Sequence, residues 1–154
     1  MANNYTQFSE QIDELPAEAI AWLYKVTTFN AEDDYAGSEE AEAALKKLLC
    51  SEDLPCAVED WGCMCDVDID DDAGSVWFSA GERGDLEQLA YIIHGLIKQF
   101  IPSYVFSLTY SETCSKPRLG EFGGGCMVIA KGEIRSWSAY AQAKEFVKEL
   151  SKTQ

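Results

Sequence analysis

The segment from Trp61 to Ala80 constrains the fold most, because apolar residues recur at every second position over its first half. In its first half, five apolar residues alternate with glycine, methionine and three aspartates. The apolar residues are Trp61, Cys63, Cys65, Val67 and Ile69. A period of two is typical of a strand with one face in water. Residues 71–74 are turn formers, and Ser75–Ala80 returns as a second strand. The segment therefore predicts a β-hairpin.

Helical periodicity dominates the N-terminal third and recurs after the hairpin. Apolar residues follow three- and four-residue steps over residues 5–26, with a break near Pro16, and a second helix is predicted over residues 38–50. The buried face of that second helix would consist of Ala41, Ala44, Leu45 and Leu48. A third helix has a capping box at Asp85 and Gln88 and a complete apolar stripe, and Pro102 ends it.

The remaining chain predicts three strands and a last helix. The strands cover residues 104–112, 126–130 and 133–137, and a helix over residues 138–150 would turn inward Tyr140, Ala143, Val147 and Leu150. The element order αα-ββ-α-βββ-α predicts an α+β fold, a mostly antiparallel sheet of about five strands with helices packed on it. We expect one domain, 1–154, with a helical part over 1–52 and a sheet-containing part over 60–152.

Charge is distributed very unevenly along the chain. The 154 residues carry 12 basic and 27 acidic side chains, a net charge of −15. Residues 1–72 hold 19 acidic and 3 basic side chains, whereas residues 73–154 hold 8 and 9. Such a charge repels nucleic acid and anionic lipid surfaces, so we expect neither as a direct partner. With no long apolar run and no signal-peptide pattern, the chain is predicted to be cytoplasmic.

The densest chemical feature is the acidic run over residues 66–72. It consists of Asp66, Asp68, Asp70, Asp71 and Asp72, the first three on one face of the predicted strand. It does not match a Ca²⁺-binding loop, because Asp71 or Ala73 would occupy the required glycine position. The run is compatible with a solvated strand face or with a surface that binds a basic protein partner.

Six cysteines and a single histidine suggest no catalytic or metal site. The first four cysteines, at positions 50, 56, 63 and 65, lack the spacing of structural zinc modules, and no cofactor is expected. Cys114 and Cys126 could approach one another across two neighbouring strands. His94 lies at the margin of its helical stripe, which favours a half-buried structural side chain. We therefore assign no catalytic residue.

A glycine-rich segment over residues 113–125 is the second candidate site. It contains Lys116, Arg118, Glu121, Phe122, Gly123, Gly124 and Gly125. Consecutive glycines indicate positive φ angles, close backbone approach or mobility, while the two cations could contact an anion. The segment is compatible with a ligand-binding loop or with a structural loop that enters a strand.

The motifs Cys-Ser-Lys-Pro-Arg at 114–118 and Glu-Phe-Gly-Gly-Gly at 121–125, followed by a short apolar strand, carry a resemblance. They are similar to the C-terminal part of small acidic proteins of unknown function carried by phages, prophages and mobile elements. The resemblance implies an accessory protein in a bacterial host and supplies no activity. The leading hypothesis is a non-enzymatic protein that binds a basic protein surface, in its sharpest form as a nucleic-acid mimic. The alternatives are a small-ligand-binding or enzymatic domain using the glycine-rich segment, and a structural or oligomeric phage component.

Overall fold

A six-stranded antiparallel sheet forms the centre of the fold in the computed structural model, which describes residues 4–35, 37–62, 65–116 and 121–151. The strands are β1 (Asn4–Ile12), β2 (Asp66–Asp70), β3 (Ser75–Ala80), β4 (Phe106–Cys114), β5 (Gly123–Ala130) and β6 (Glu133–Ser138). Their spatial order is β2-β3-β1-β4-β5-β6, so β2 and β6 are the two edges. The structure thus confirms the α+β class and adds one strand to the predicted sheet.

In the described ranges, four α-helices and a short 3₁₀ helix lie between the strands, and a fifth α-helix follows the last strand. The α-helices are α1 (Ala17–Thr27), α2 (Ala31–Asp34), α3 (Ser38–Leu49), α4 (Leu86–Gln99) and α5 (Ala139–Ser151), and the 3₁₀ helix is Val58–Asp60. The sheet contributes one face to the core, where Ile12 lies opposite Val76 and Phe106 lies opposite Ile129. Apolar faces of α1, α3 and α4 complete the same core. These helices therefore cover one face of the sheet.

The first four strands have the topology of a split βαβ unit. The chain runs from β1 through helices to the β2–β3 hairpin, and then through α4 to β4, which pairs with β1. The spatial order β2-β3-β1-β4 is that of ferredoxin-like domains. Strands β5 and β6 extend this sheet as an antiparallel meander. No helix within the described ranges is long and apolar enough to cross a membrane.

The prediction that residues 5–15 form a helix was wrong, because β1 occupies most of this segment. Phe8 and Ile12 are the buried residues of β1, and a spacing of four places two side chains on one face of either a helix or a strand. The local pattern was therefore ambiguous. Pairing with β3 on one side and β4 on the other decides in favour of the strand.

The predicted hairpin is present, but its first strand is shorter than the alternation indicates. Strand β2 begins at Asp66, whereas Trp61 lies at the end of the 3₁₀ helix. The buried Trp61 ring donates its Nε1–H to the carbonyl oxygen of Val26 at 3.2 Å. This bond ties the segment to α1 instead of the sheet. Cys63 lies outside the described residues.

The N-cap at Asp85 and the second helix were predicted correctly, and Gln88 pairs with Asp85 by donating its side-chain amide to the carboxylate. The Asp85 carboxylate accepts hydrogen bonds from the backbone N–H of Glu87 and of Gln88, both at 3.0 Å, and the Gln88 side chain returns a bond to it. Helix α3 follows the predicted bounds, and Ala41 and Leu45 are buried in it as expected. Ala44 and Leu48 are half-buried, while Leu49 is buried in addition.

The inward face predicted for the last helix is wrong. Helix α5 has no buried residue, and its large apolar side chains are 54–68% exposed: Tyr140, Phe146, Val147 and Leu150. The core under the sheet is already filled by α1, α3 and α4. An apolar stripe predicts that a helix is amphipathic, but it does not say what covers the stripe.

Candidate functional site

The five aspartates of residues 66–72, hereafter the acidic edge, lie together at one edge of the sheet. Asp66, Asp68 and Asp70 belong to the edge strand β2, and Asp71 and Asp72 begin the turn that follows. All five are exposed. The structure therefore brings together every residue of the predicted partner-binding run.

The pleat of β2 determines which way the acidic edge points. Val67 and Ile69 are half-buried and pack against the core on the helix-covered face. The three aspartates between and beside them must then face the opposite way, because side chains alternate along a strand. They form a row with a spacing of about 6.6 Å on the open face of the sheet.

The negative charge of the acidic edge is not neutralised by neighbouring cations in the described part of the chain. Ion pairs there join Lys46 to Glu42 and Arg135 to Glu133, both at 2.7 Å, and none involves residues 66–72. Asp70 accepts a hydrogen bond from the backbone N–H of Ala73 at 2.9 Å, which closes the turn. No cation of the described ranges forms an ion pair with these five carboxylates.

The field of the acidic edge reaches the neighbouring helix α1. The pKa of the Tyr24 hydroxyl is raised. Desolvation is the largest cause, and the charge of Asp71, a hydrogen bond to Asp71 and the charge of Asp68 follow in that order. A shallow cavity of about 600 Å³ is lined by Tyr24, by Asp71 and Asp72 of the turn, and by Leu15 and Gly74. The negative surface thus continues from the sheet edge towards α1.

Trp77 is a site residue that the sequence reasoning did not single out. It lies directly opposite Asp68 on β3 and is 45% exposed. Its Nε1–H donates to Ser9 Oγ at 2.8 Å, which fixes the indole on the open face of the sheet. The signal was present in the sequence, since Trp77 stands between the apolar residues Val76 and Phe78 at the outward position of the alternation.

The glycine-rich segment is mainly a feature of strand packing where it is described. Gly123, Gly124 and Gly125 lie in β5, and Gly124 has a φ angle of 151°. A Cβ atom on Gly125 would lie 2.7 Å from the hydroxyl oxygen of Tyr110 and would also meet the carbonyl oxygen of Trp137. These glycines allow β5 to approach both neighbouring strands closely.

The polar residues of that segment are only partly brought together. Cys114 Sγ donates to Glu121 Oε2 at 2.9 Å, and Glu121 lines a cavity of about 210 Å³ with Glu112, Tyr5 and other residues of β1 and β4. Lys116 and Phe122 are exposed, and Arg118 lies outside the described residues. The described wall of this cavity is acidic, which does not favour an anionic ligand there.

The cysteines and the histidine occupy separate places. Cys50, Cys56, Cys114 and Cys126 are free thiols, and the described ranges contain no cluster of three or more metal-ligating side chains. Cys114 and Cys126 cannot meet across the sheet, because Cys126 lies opposite Thr109, five positions from Cys114. His94 is half-buried, with Nε2 3.0 Å from the carbonyl oxygen of Lys131.

No protein-family model, curated protein or solved structure matches this chain. The topology defines an α+β domain with an extended ferredoxin-like sheet, a fold that carries many unrelated functions. Function must therefore be argued from the charge and geometry of the chain's own residues.

Proposed function

We propose that this protein is a non-enzymatic binding module whose acidic edge docks on a basic surface of another protein. One observation carries the proposal: a row of three exposed aspartates lies on an open sheet face, with no ion-pair partner among the described residues. Like charges held in a row repel one another, and a cationic partner relieves that repulsion.

Trp77 supports a protein partner over a simple solvated face. Exposed tryptophan is enriched at the energetic centres of protein interfaces, where it combines a large apolar area with a hydrogen-bonding group. Here the indole is held beside Asp68 by its bond to Ser9. An arginine-rich partner fits this pair of side chains, since guanidinium groups both bind carboxylates and stack on aromatic rings.

In its sharpest form the acidic edge imitates nucleic acid. Two residues of a β-strand advance about 6.6 Å, close to two nucleotide steps of one DNA strand, each of which rises about 3.4 Å along the helix axis. The outward aspartates would then present carboxylates to sites that normally receive phosphates. On this proposal the partner is a bacterial host or phage protein that acts on DNA or RNA, and duplex DNA competes with the acidic edge for it.

The experiment compares three proteins in capture from a bacterial lysate at low ionic strength. They are the wild type, the variant D66N/D68N/D70N, and a matched variant E52Q/D53N/E59Q that removes three exposed charges elsewhere. We expect the wild type and the matched variant to retain the same proteins and the Asp-to-Asn variant to lose them. Binding should weaken steeply from about 0.05 to 0.5 M NaCl, because the attraction is between charges.

Two results would overturn the proposal. The first is equal retention by all three proteins, which would place binding outside the acidic edge. The second is an affinity that stays constant as salt rises. A retained partner that duplex DNA fails to displace would overturn nucleic-acid imitation alone and leave protein binding standing.

A further inference from the structure

Helix α5 carries an apolar face that no element of the described ranges buries. Tyr140, Ala143, Val147 and Leu150 follow steps of three, four and three residues, the spacing of core positions in a coiled coil. Val147 is 64% and Leu150 is 68% exposed. Phe146 flanks this stripe and is 54% exposed. Such a face on a monomer typically marks an interaction surface.

The apolar face continues onto the adjoining strand. Trp137 of β6 is 48% exposed, and its Nε1–H donates to Gln142 Oε1 of α5 at 3.0 Å. The Lys144 ammonium group lies 4.3 Å from the ring centre of Tyr140, at the side of the stripe. The strand and helix thus present one surface, hereafter the α5 surface, formed by Trp137, Tyr140, Phe146, Val147 and Leu150.

We propose that the α5 surface pairs with the α5 surface of a second copy, which makes the protein a two-fold symmetric dimer. This inference does not depend on the proposed function, because it uses the opposite edge of the sheet. In a two-fold symmetric interface the same surface patch of each subunit contacts its counterpart. An apolar helix stripe can pair with an identical stripe in this way.

Charge does not oppose a second copy at this surface. The whole chain has a net charge of −15, whereas residues 131–151 hold four basic and three acidic side chains. Within α5 itself, Lys144 and Lys148 balance Glu145 and Glu149. This region is therefore one where two copies of an acidic protein can approach without strong repulsion.

The sheet topology keeps the acidic edges apart in such a dimer. Strand β2 lies at one edge of the sheet and β6 at the other, separated by five strand spacings, or about 24 Å. That distance exceeds the Debye length of ~8 Å at physiological salt, so each acidic edge is screened from the dimer contact. Both edges remain open to partners.

The area of the α5 surface approaches that of a specific dimer interface. If a large side chain offers roughly 200 Å² when fully exposed, the five exposed fractions leave on the order of 550 Å² per copy. Two copies would bury on the order of 1,100 Å² from these side chains, close to the ~1,200 Å² at which specific interfaces begin. Polar neighbours such as Gln142 add to this area.

The test measures molar mass by light scattering and sedimentation over a wide range of protein concentrations. The wild type should have twice the 17.1 kDa mass of one chain. In V147Q/L150Q the dimer dissociation constant should rise roughly 100-fold or more, because two exposed apolar contacts are lost in each copy. The control V105Q/F122Q changes two comparably exposed apolar side chains elsewhere, and it should remain dimeric.

Two further measurements test the dimer without relying on V147Q/L150Q: a second variant, and the dependence of the dimer on salt. A143D places a charge within the stripe, and it should also yield a monomer with unchanged circular dichroism. High salt should leave the wild-type dimer intact, unlike the charge-driven binding of the acidic edge. A wild type that stays monomeric at all concentrations would overturn the proposal, as would a dimer that persists in both α5 variants.

Discussion

At the scale of single residues, His94 couples the stability of the fold to pH. Desolvation lowers the pKa of the His94 imidazole, the hydrogen bond to the Lys131 carbonyl opposes this, and the nearby Lys98 charge adds to the lowering. The folded imidazole therefore stays neutral at a pH where the unfolded one takes up a proton. Protons then bind the unfolded chain preferentially, so stability falls as pH drops through the unfolded pKa of about 6.5.

We predict that H94Q removes this part of the pH dependence. Thermal unfolding of the wild type and of H94Q should be compared between about pH 7.5 and pH 5.5, around the ordinary histidine pKa. The melting temperature of the wild type should fall more than that of H94Q as the pH is lowered across this range. Carboxylate titration affects both proteins equally and cancels in the comparison. A constant difference would show that His94 is not responsible.

Hydrogen bonds between residues near in sequence could be predicted, whereas those between distant residues could not. The capping box at Asp85 and Gln88 was predictable, because it involves atoms only three residues apart. The roles of Trp61 and Trp77 were not, since each indole bonds to an atom distant in sequence, 35 and 68 positions away. Long-range hydrogen bonds leave no local periodicity to detect.

At the scale of elements, β5 depends on having no side chain at Gly125. The close approach of β4 and β6 leaves no room for a Cβ atom there, between Tyr110 and the backbone of Trp137. Ordinary strand propensity would favour almost any other residue. The glycine is retained by packing, although it costs stability through its greater freedom in the unfolded chain.

We predict that G125A destabilises the protein by roughly 1–3 kcal/mol, the range for overpacking a tight site. G132A is the matched control, because a Cβ atom at Gly132 would meet no atom within 4 Å. Urea unfolding should show a lower midpoint for G125A and little change for G132A. Equal midpoints for G125A and the wild type would mean that the strands separate at no cost.

Elements with strong local signals were predicted, and those with ambiguous ones were not. Helix α4 and strand β3 have clear periodicity and appear within the predicted bounds. Strand β1 has two buried residues at a spacing that suits helix and strand alike, and its central place in the sheet settles its conformation. Helix α5 was predicted as an element, but the exposure of its apolar face was not.

At the scale of the whole molecule, uncompensated negative charge opposes folding. Residues 1–72 hold 19 acidic and 3 basic side chains, and compaction brings these charges closer together. The acidic edge adds to this repulsion without a neutralising cation among the described residues. An uncompensated acidic surface of this kind therefore costs stability.

We predict that salt stabilises the isolated protein while it weakens capture of the partner. Raising NaCl from about 0.05 to 0.5 M should stabilise the fold by about 1 kcal/mol, or roughly 3 °C in melting temperature for a chain of this size. The gain should be smaller for D66N/D68N/D70N, which has less repulsion to screen. A melting temperature that falls with salt would contradict the charge argument.

The sequence by itself determined the α+β class, the β2–β3 hairpin, the capped helix α4 and the concentration of acidic residues at 66–72, because each depends on neighbouring residues and their period. Only the tertiary structure decided that β1 is a central strand, that the acidic edge lies on the open face beside Trp77, and that the apolar side chains of α5 are exposed. These outcomes depend on contacts between distant segments and on which faces the core has already filled, so no local pattern could contain them.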